Sequence, residues 1–95
     1  MPSVSVKILL FATLRDKYHT KELVVNCNGS IKSLIESASE VLGKEFLRDI
    51  YDEELGKIRE DITLMINGRN IKDLKGNIVL KDQDVVAIFP PLAGG

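Results

Sequence analysis

The sequence predicts an α+β domain in which a mixed sheet packs on one main helix, with a second short helix beside it. Three observations lead there. Two β-rich runs at the start of the chain alternate apolar and polar residues with a period of two. A stretch with helical apolar spacing follows them. Two further β-rich runs then close the chain, the first of them ending on a tight-turn dipeptide.

The bulk properties fit one such domain. The chain has 95 residues, of which 44 % are apolar and 28 % charged, with a formal charge of -1. That length suits a single domain with one core. Ile, Leu, Val and Phe account for 33 residues, well above the ~20 % below which a charged chain stays disordered. The longest wholly apolar stretch of the first half, 8–12, is far short of the ~18 residues of a membrane span. Met1-Pro2-Ser3 has neither a charged nor an apolar export region. Thirteen basic residues oppose 14 acidic ones without a cluster of five like charges, so neither nucleic acid nor a membrane surface is an expected partner. The single Cys27 cannot close an internal disulfide, which suits a reducing cytoplasm. The single His19 lacks companions for a metal set.

In chain order, Val4, Val6, Ile8 and Leu10 form the buried side of the first strand, while Leu9 and Phe11 put apolar groups on the side that should be polar. Residues 12–20 read as a turn and loop, and Leu23, Val25 and Cys27 as one face of the second strand, completing an N-terminal hairpin. Ser30 is placed to cap a helix. Ile31, Leu34, Ile35, Ala38, Val41 and Leu42 make its core stripe, Lys32, Glu36 and Glu40 its solvent face, and Gly43 its stop. Residues 44–61 carry 4 basic and 7 acidic groups, and Leu47, Tyr51, Leu55 and Ile58 suggest a second helix that Gly56 weakens. Ile62, Leu64 and Ile66 mark a third strand. Asn67-Gly68 turns it, Ile71 resumes a short strand, and Val85 to Phe89 reads as a central strand buried on both faces.

The domain is read as 1–89 and the remainder, 90–95, as an extended tail. Two of the three prolines and two of the seven glycines lie in those last six residues. Pro90 and Pro91 forbid further ladder pairing and drive the chain outward. Beyond Leu92 almost no side-chain volume remains, so the final carboxylate can enter a narrow pocket of another protein. No catalytic acid, base, metal set or phosphate loop stands out upstream. The α-carboxylate of Gly95 is the distinctive reactive group, and a partner would have to activate it, most simply as an acyl adenylate open to a sulfur or amine nucleophile.

The run 79–95, VLKDQDVVAIFPPLAGG, resembles the C-terminal signature of the small subunits of molybdopterin synthase, within the MoaD/ThiS family of ubiquitin-like sulfur carriers. Phe11-Ala12-Thr13-Leu14-Arg15-Asp16 is similar to that family's motif after its first strand. The resemblance implies a β-grasp fold. It implies that Gly95 is adenylated and then thiocarboxylated, with Gly94 as its threading neighbour. It implies partner contacts through Phe89, Pro90, Pro91, Leu92 and Ala93, and Phe11 belongs to the same contact surface or to the core. The partners implied are a MoaE-like large subunit of molybdopterin synthase, which sulfurates a pterin precursor of molybdenum or tungsten cofactor, and a MoeB-like adenylating enzyme. The chain itself would bind no cofactor and no metal, ATP being used by the activating partner, and would not be an enzyme alone. Leu9 and Met65 extend the same apolar surface or belong to the core.

Two departures from the pattern stand out. Gln83 occupies a turn position that is usually Gly in the family. The charged segment 44–61 resembles that of the longer archaeal small modifier proteins, which keeps open a second role as a modifier joined to lysines through Gly95.

Overall fold

Strand β1 (Val4–Leu10) turns Val6, Ile8 and Leu10 inward, each no more than 1 % exposed. It pairs antiparallel with β2 (Glu22–Cys27), whose Val25 and Cys27 are buried on the same side. The computed structural model describes residues 3–91 except 75 and 77. The remaining strands of the main sheet are β5 (Thr63–Ile66), β6 (Arg69–Asn70) and β7 (Val85–Phe89), and the order across it is β2-β1-β7-β5-β6. Strand β7 lies parallel to β1 and antiparallel to β5, so the last strand in the chain is the middle strand of the sheet. This is the mixed sheet of a β-grasp domain.

Helix α2 (Ile31–Leu42) covers the inner face through Leu34, Ile35 and Ala38, all fully buried. Its start is fixed by polar contacts. The Ser30 hydroxyl accepts from the Ser33 amide at 3.1 Å, and the Asn28 side chain accepts from the Ser30 amide at 3.0 Å. Before it, Gly29 has φ +101° and its carbonyl accepts from the Leu80 amide at 2.7 Å; a Cβ there would meet the Leu80 carbonyl oxygen at 3.4 Å. Glycine is favoured there by the backbone angle, while a Cβ would make only ordinary contact.

Four expectations are corrected. The segment 12–20 is not all loop: Ala12–Tyr18 forms helix α1, which buries Leu14 and packs Tyr18 edge-on against Phe46 at 5.2 Å. With only seven residues and two apolar positions of helical spacing, its periodicity is too short to separate from a turn. In the charged segment, the helix ends at Ile50. Helix α3 (Lys44–Ile50) uses Phe46 and Ile50 as its buried pair, and Tyr51 and Ile58 face each other across a two-stranded ribbon, β3 (Tyr51–Asp52) and β4 (Lys57–Ile58). Gly56 sits in the intervening turn at φ +67°, and Leu55 is 63 % exposed. Cross-strand pairing and helical spacing put Tyr51 and Ile58 on one side equally well, so the pattern was right and the period wrong. Val41, counted in the core stripe of α2, is 67 % exposed. It flanks the stripe that Leu34, Ile35 and Ala38 define. Ile71 does not continue β6 but starts a single 3-10 turn, in which the Asn70 side chain accepts from the Lys72 amide.

Asn67-Gly68 does form the tight turn between β5 and β6, with φ of 50° and 86°. The turn entering β7 is held more elaborately. The Ser5 amide donates to the Asp82 carboxylate at 2.8 Å, which lowers that carboxyl's pKa, and Gln83 N–H donates to the Ser5 carbonyl at 2.7 Å. Gln83 adopts φ 74°, a left-handed conformation that a side chain resists. Gln83→Gly is therefore expected to stabilise the domain by a net ~0.5 to 1 kcal/mol, strain relief offset in part by the greater freedom of the unfolded chain. Urea unfolding measures it, and a loss of stability would mean that the hydrogen bond Gln83 Nε2 donates to the Asp82 carboxylate at 3.3 Å outweighs the strain.

Candidate functional site

The face of the sheet opposite α2 is where the unexpected apolar residues gather. In β7, Val86 and Ile88 point into the core, so Val85, Ala87 and Phe89 point away from it. The register places Leu9 beside Ala87 and Ala87 beside Met65, one apolar row across three strands. All three residues are half-buried. At the end of β7, the rings of Phe11 and Phe89 stack with centroids 4.5 Å apart and planes within 10°. Together they form an apolar patch running toward the point where the chain leaves the sheet. The strand is central, but its second face is not buried as the sequence suggested.

Phe11 is positioned by two backbone hydrogen bonds. Its amide donates to the Ile88 carbonyl at 3.2 Å, and its carbonyl accepts from Leu14 at 3.2 Å as α1 begins. Ala12 beside it has φ 53°, a strained angle for alanine. The motif 11–16 thus couples the first strand, α1 and the end of β7.

Of the expected contact residues, Phe89 and Phe11 are brought together, Pro90 is buried, and Pro91 is exposed. Leu92, Ala93, Gly94 and Gly95 lie outside the described residues. Pro90 and Pro91 line a groove of about 440 Å³ with Leu14 and Ile62, so the first proline belongs to the packed domain.

Beside that groove lies an ionic cluster that sequence reasoning missed. Lys17 Nζ is 2.7 Å from Asp49 and 3.1 Å from Glu45, and the Tyr18 hydroxyl donates to Asp49. Burial opposes the charge on Asp49, but the hydrogen bonds from Lys17 and Tyr18 outweigh it and hold its carboxyl below the usual value. Burial and the bond to Asp49 push the Tyr18 phenol up. These groups tie α1 to α3. The Lys17 side chain is 46 % exposed, so its ion pairs add little stability by themselves.

Among the described residues no group of three His, Cys, Asp or Glu side chains could hold a metal, and no helix is long and apolar enough to cross a membrane. Cys27 is buried in the core.

Phe89→Ala gives a direct test of the patch. Loss of a half-buried, stacked ring should cost the fold about 1 kcal/mol, while a partner that uses the ring as an anchor should bind at least about tenfold more weakly. Chemical unfolding and calorimetric titration separate the two. A large loss of stability with unchanged binding would return Phe89 to the core.

The profile of the ThiS family matches residues 8–95. The molybdopterin synthase sulfur carrier subunit of Drosophila melanogaster is 32 % identical, over 99 % of this chain and 94 % of its own. Small archaeal modifier protein 3 of Haloferax volcanii is 26 % identical over 97 % of this chain and its full length. The solution structure of small archaeal modifier protein 1 from Methanosarcina acetivorans superposes with a TM-score of 0.80 at 30 % identity, covering both chains completely.

Proposed function

The chain belongs to the ThiS family of ubiquitin-like sulfur carriers, and from that premise we propose that it is the sulfur-donating small subunit of a molybdopterin synthase. The observation that supports this most is the stacked Phe11–Phe89 pair at the foot of the tail, continuous with the Leu9, Ala87 and Met65 row. An apolar patch with aromatic anchors is suited to a lasting protein contact. Phe89 precedes Gly95 by six residues, so a partner held there is within a short tail's reach of its carboxylate.

In this reading the chain binds no cofactor and has no catalytic group of its own. An adenylating partner joins the Gly95 carboxylate oxygen to the α-phosphorus of ATP and releases pyrophosphate. A sulfur nucleophile then displaces AMP from the acyl carbon, which leads to the thiocarboxylate. Gly94 and Gly95 offer no Cβ to obstruct a narrow channel. A large subunit presents the pterin precursor to the sulfur, in the cytoplasm.

The test is intact mass after incubation with an adenylating enzyme of the same cell, ATP and a sulfur donor. Replacement of one oxygen by sulfur at Gly95, followed by sulfur transfer in the presence of the large subunit, is the expected result. An unchanged mass would reject the reading.

The full-length similarity to small archaeal modifier proteins supports a second use of the same activated terminus, attack by a lysine amine to give an isopeptide bond. Conjugates that survive reductant in lysates of cells expressing the tagged protein distinguish it from the carrier role.

A further inference from the structure

The two edges of the main sheet are built differently. On one side β6 is two residues long and runs at once into the 3-10 turn at Ile71, a short edge of the kind that discourages further pairing. On the other side β2 runs for six residues, Glu22–Cys27. Its pairing with β1 is continuous from Val4↔Cys27 to Leu9↔Glu22, without a bulge. The strand contains neither lysine nor proline, and Glu22 at its start is its one charge. The centre of this edge therefore carries none of the devices that keep an exposed strand from pairing.

The phase of the hydrogen bonds shows which groups lie open. The Leu10 amide donates to the Lys21 carbonyl at 3.0 Å, whereas the Lys7 amide donates the other way, to the Asp84 carbonyl at 3.0 Å. Antiparallel pairs alternate between bonded and non-bonded. Leu23, Val25 and Cys27 therefore turn their backbone groups to β1, and Glu22, Val24 and Asn26 turn theirs to the open edge. Among the described residues those outward groups have no hydrogen-bond partner. The side chains of the same three residues are exposed, Val24 by 63 %. The edge also complements itself. Laid antiparallel on its own sequence about Val24, it sets Leu23 opposite Val25 of the second copy on the inner face and Glu22 opposite Asn26 of the second copy on the outer face. Asn26 Oδ1 already accepts from Ser5 Oγ at 2.8 Å, so the Asn26 amide nitrogen is left to donate to the facing Glu22 carboxylate. No like charges oppose one another in this register.

We propose that β2 is the seam of a two-fold dimer, its open edge pairing antiparallel with the same edge of a second copy about an axis through Val24. A closed two-fold interface requires one patch to complement itself, and this strand does. The outward N–H and C=O groups of Glu22, Val24 and Asn26 all gain partners, and two five-stranded sheets become one continuous sheet. An extended segment of another protein would satisfy the backbone groups alone; the second copy also matches Leu23 with Val25 and Glu22 with Asn26. A single strand edge buries much less than the ~1,200 Å² of a stable interface, so the dimer is weak and forms at roughly 0.01 to 1 mM chain. The inference is independent of the proposed function, because the seam uses an edge of the sheet and leaves the Leu9, Ala87 and Met65 row on its face uncovered.

The experiment is sedimentation equilibrium of the full chain across roughly 0.01 to 1 mM, with residue-resolved amide exchange at both ends of the range. The average mass is expected to rise toward two chains and no further. Exchange at Glu22, Val24 and Asn26 should slow as the protein is concentrated, while Leu23 and Val25, bonded to β1, should be protected throughout. Val24→Lys places two ammonium groups on the axis and should weaken the dimer about tenfold or more. Asn26→Lys faces Glu22 of the second copy with an opposite charge and should tighten it about threefold, a gain that added salt removes. That gain keeps the test decisive even where Val24→Lys disturbs folding, which its melting curve shows. A mass of one chain at every concentration would overturn the inference and leave the edge to an extended segment of another protein. So would dimers that a folded Val24→Lys variant forms equally well, which would place the contact on another surface, or a mass that climbs past two chains, which would mean open-ended association.

Discussion

Appending a single alanine after Gly95 should abolish sulfur transfer while leaving the domain intact. Each residue can lengthen an extended chain by about 3.3 to 3.6 Å, so the reacting carboxyl would no longer stand where a site shaped for Gly94 and Gly95 requires it. A displacement of about 1 Å already costs on the order of a hundredfold in a well-oriented reaction; here the displacement is larger, and the added Cβ widens a segment that had none. The loss should exceed a hundredfold, read as pterin sulfuration with the large subunit present. Melting should not change, because the addition lies six positions beyond Pro90, a buried residue of the described domain. Persistence of transfer at the wild-type rate would mean that the terminus is not the donor. Deleting Gly95 should have the same result for the complementary reason, a carboxyl that stops short.

Much of this arrangement is legible in the sequence, and what is legible depends on the length of each element. Helix α2 has twelve residues, a serine cap and buried Leu34, Ile35 and Ala38, enough repeats for the helical period to emerge. Strands β1 and β7 were visible because Val6 and Ile8, and Val86 and Ile88, alternate with residues of the other face. The misplaced apolar groups Leu9 and Phe11 were the useful anomaly. They break the alternation because that face carries an apolar row with Ala87, Met65 and Phe89. The segments that misled are short and depend on tertiary contacts. Helix α1 exists because Leu14 and Tyr18 find the core and Phe46, which no local pattern reveals. The ribbon of β3 and β4 imitates a helical stripe because Tyr51 and Ile58 pair across strands. Arg48 and Arg59 could not be read as neighbours of Pro90 at all, since only the fold of segment 44–61 brings those three residues to one groove. Their one sequence signal was the density of charge in a segment that the family resemblance marked as additional.

That additional segment is expected to be indispensable to the fold, and Phe46→Ala shows how strongly. Phe46 is fully buried and among the largest side chains of the core. It meets Tyr18 edge-on, and through Tyr18 and Lys17 the ionic contacts with Asp49 tie α1 to α3. Removing the ring deletes the apolar contact and leaves a cavity beneath that cluster, a combined cost of about 3 to 5 kcal/mol. Against the ~5 to 15 kcal/mol that holds a domain of this kind together, the variant should unfold at much lower urea, or fail to fold at physiological temperature. Phe46→Leu, which keeps most of the volume, should lose considerably less. Equilibrium urea unfolding of both variants measures the difference. A loss below about 1 kcal/mol for Phe46→Ala would show that helix α3 is an appendage laid on a finished core. The expected loss makes it part of that core, continuous with Tyr18 of helix α1.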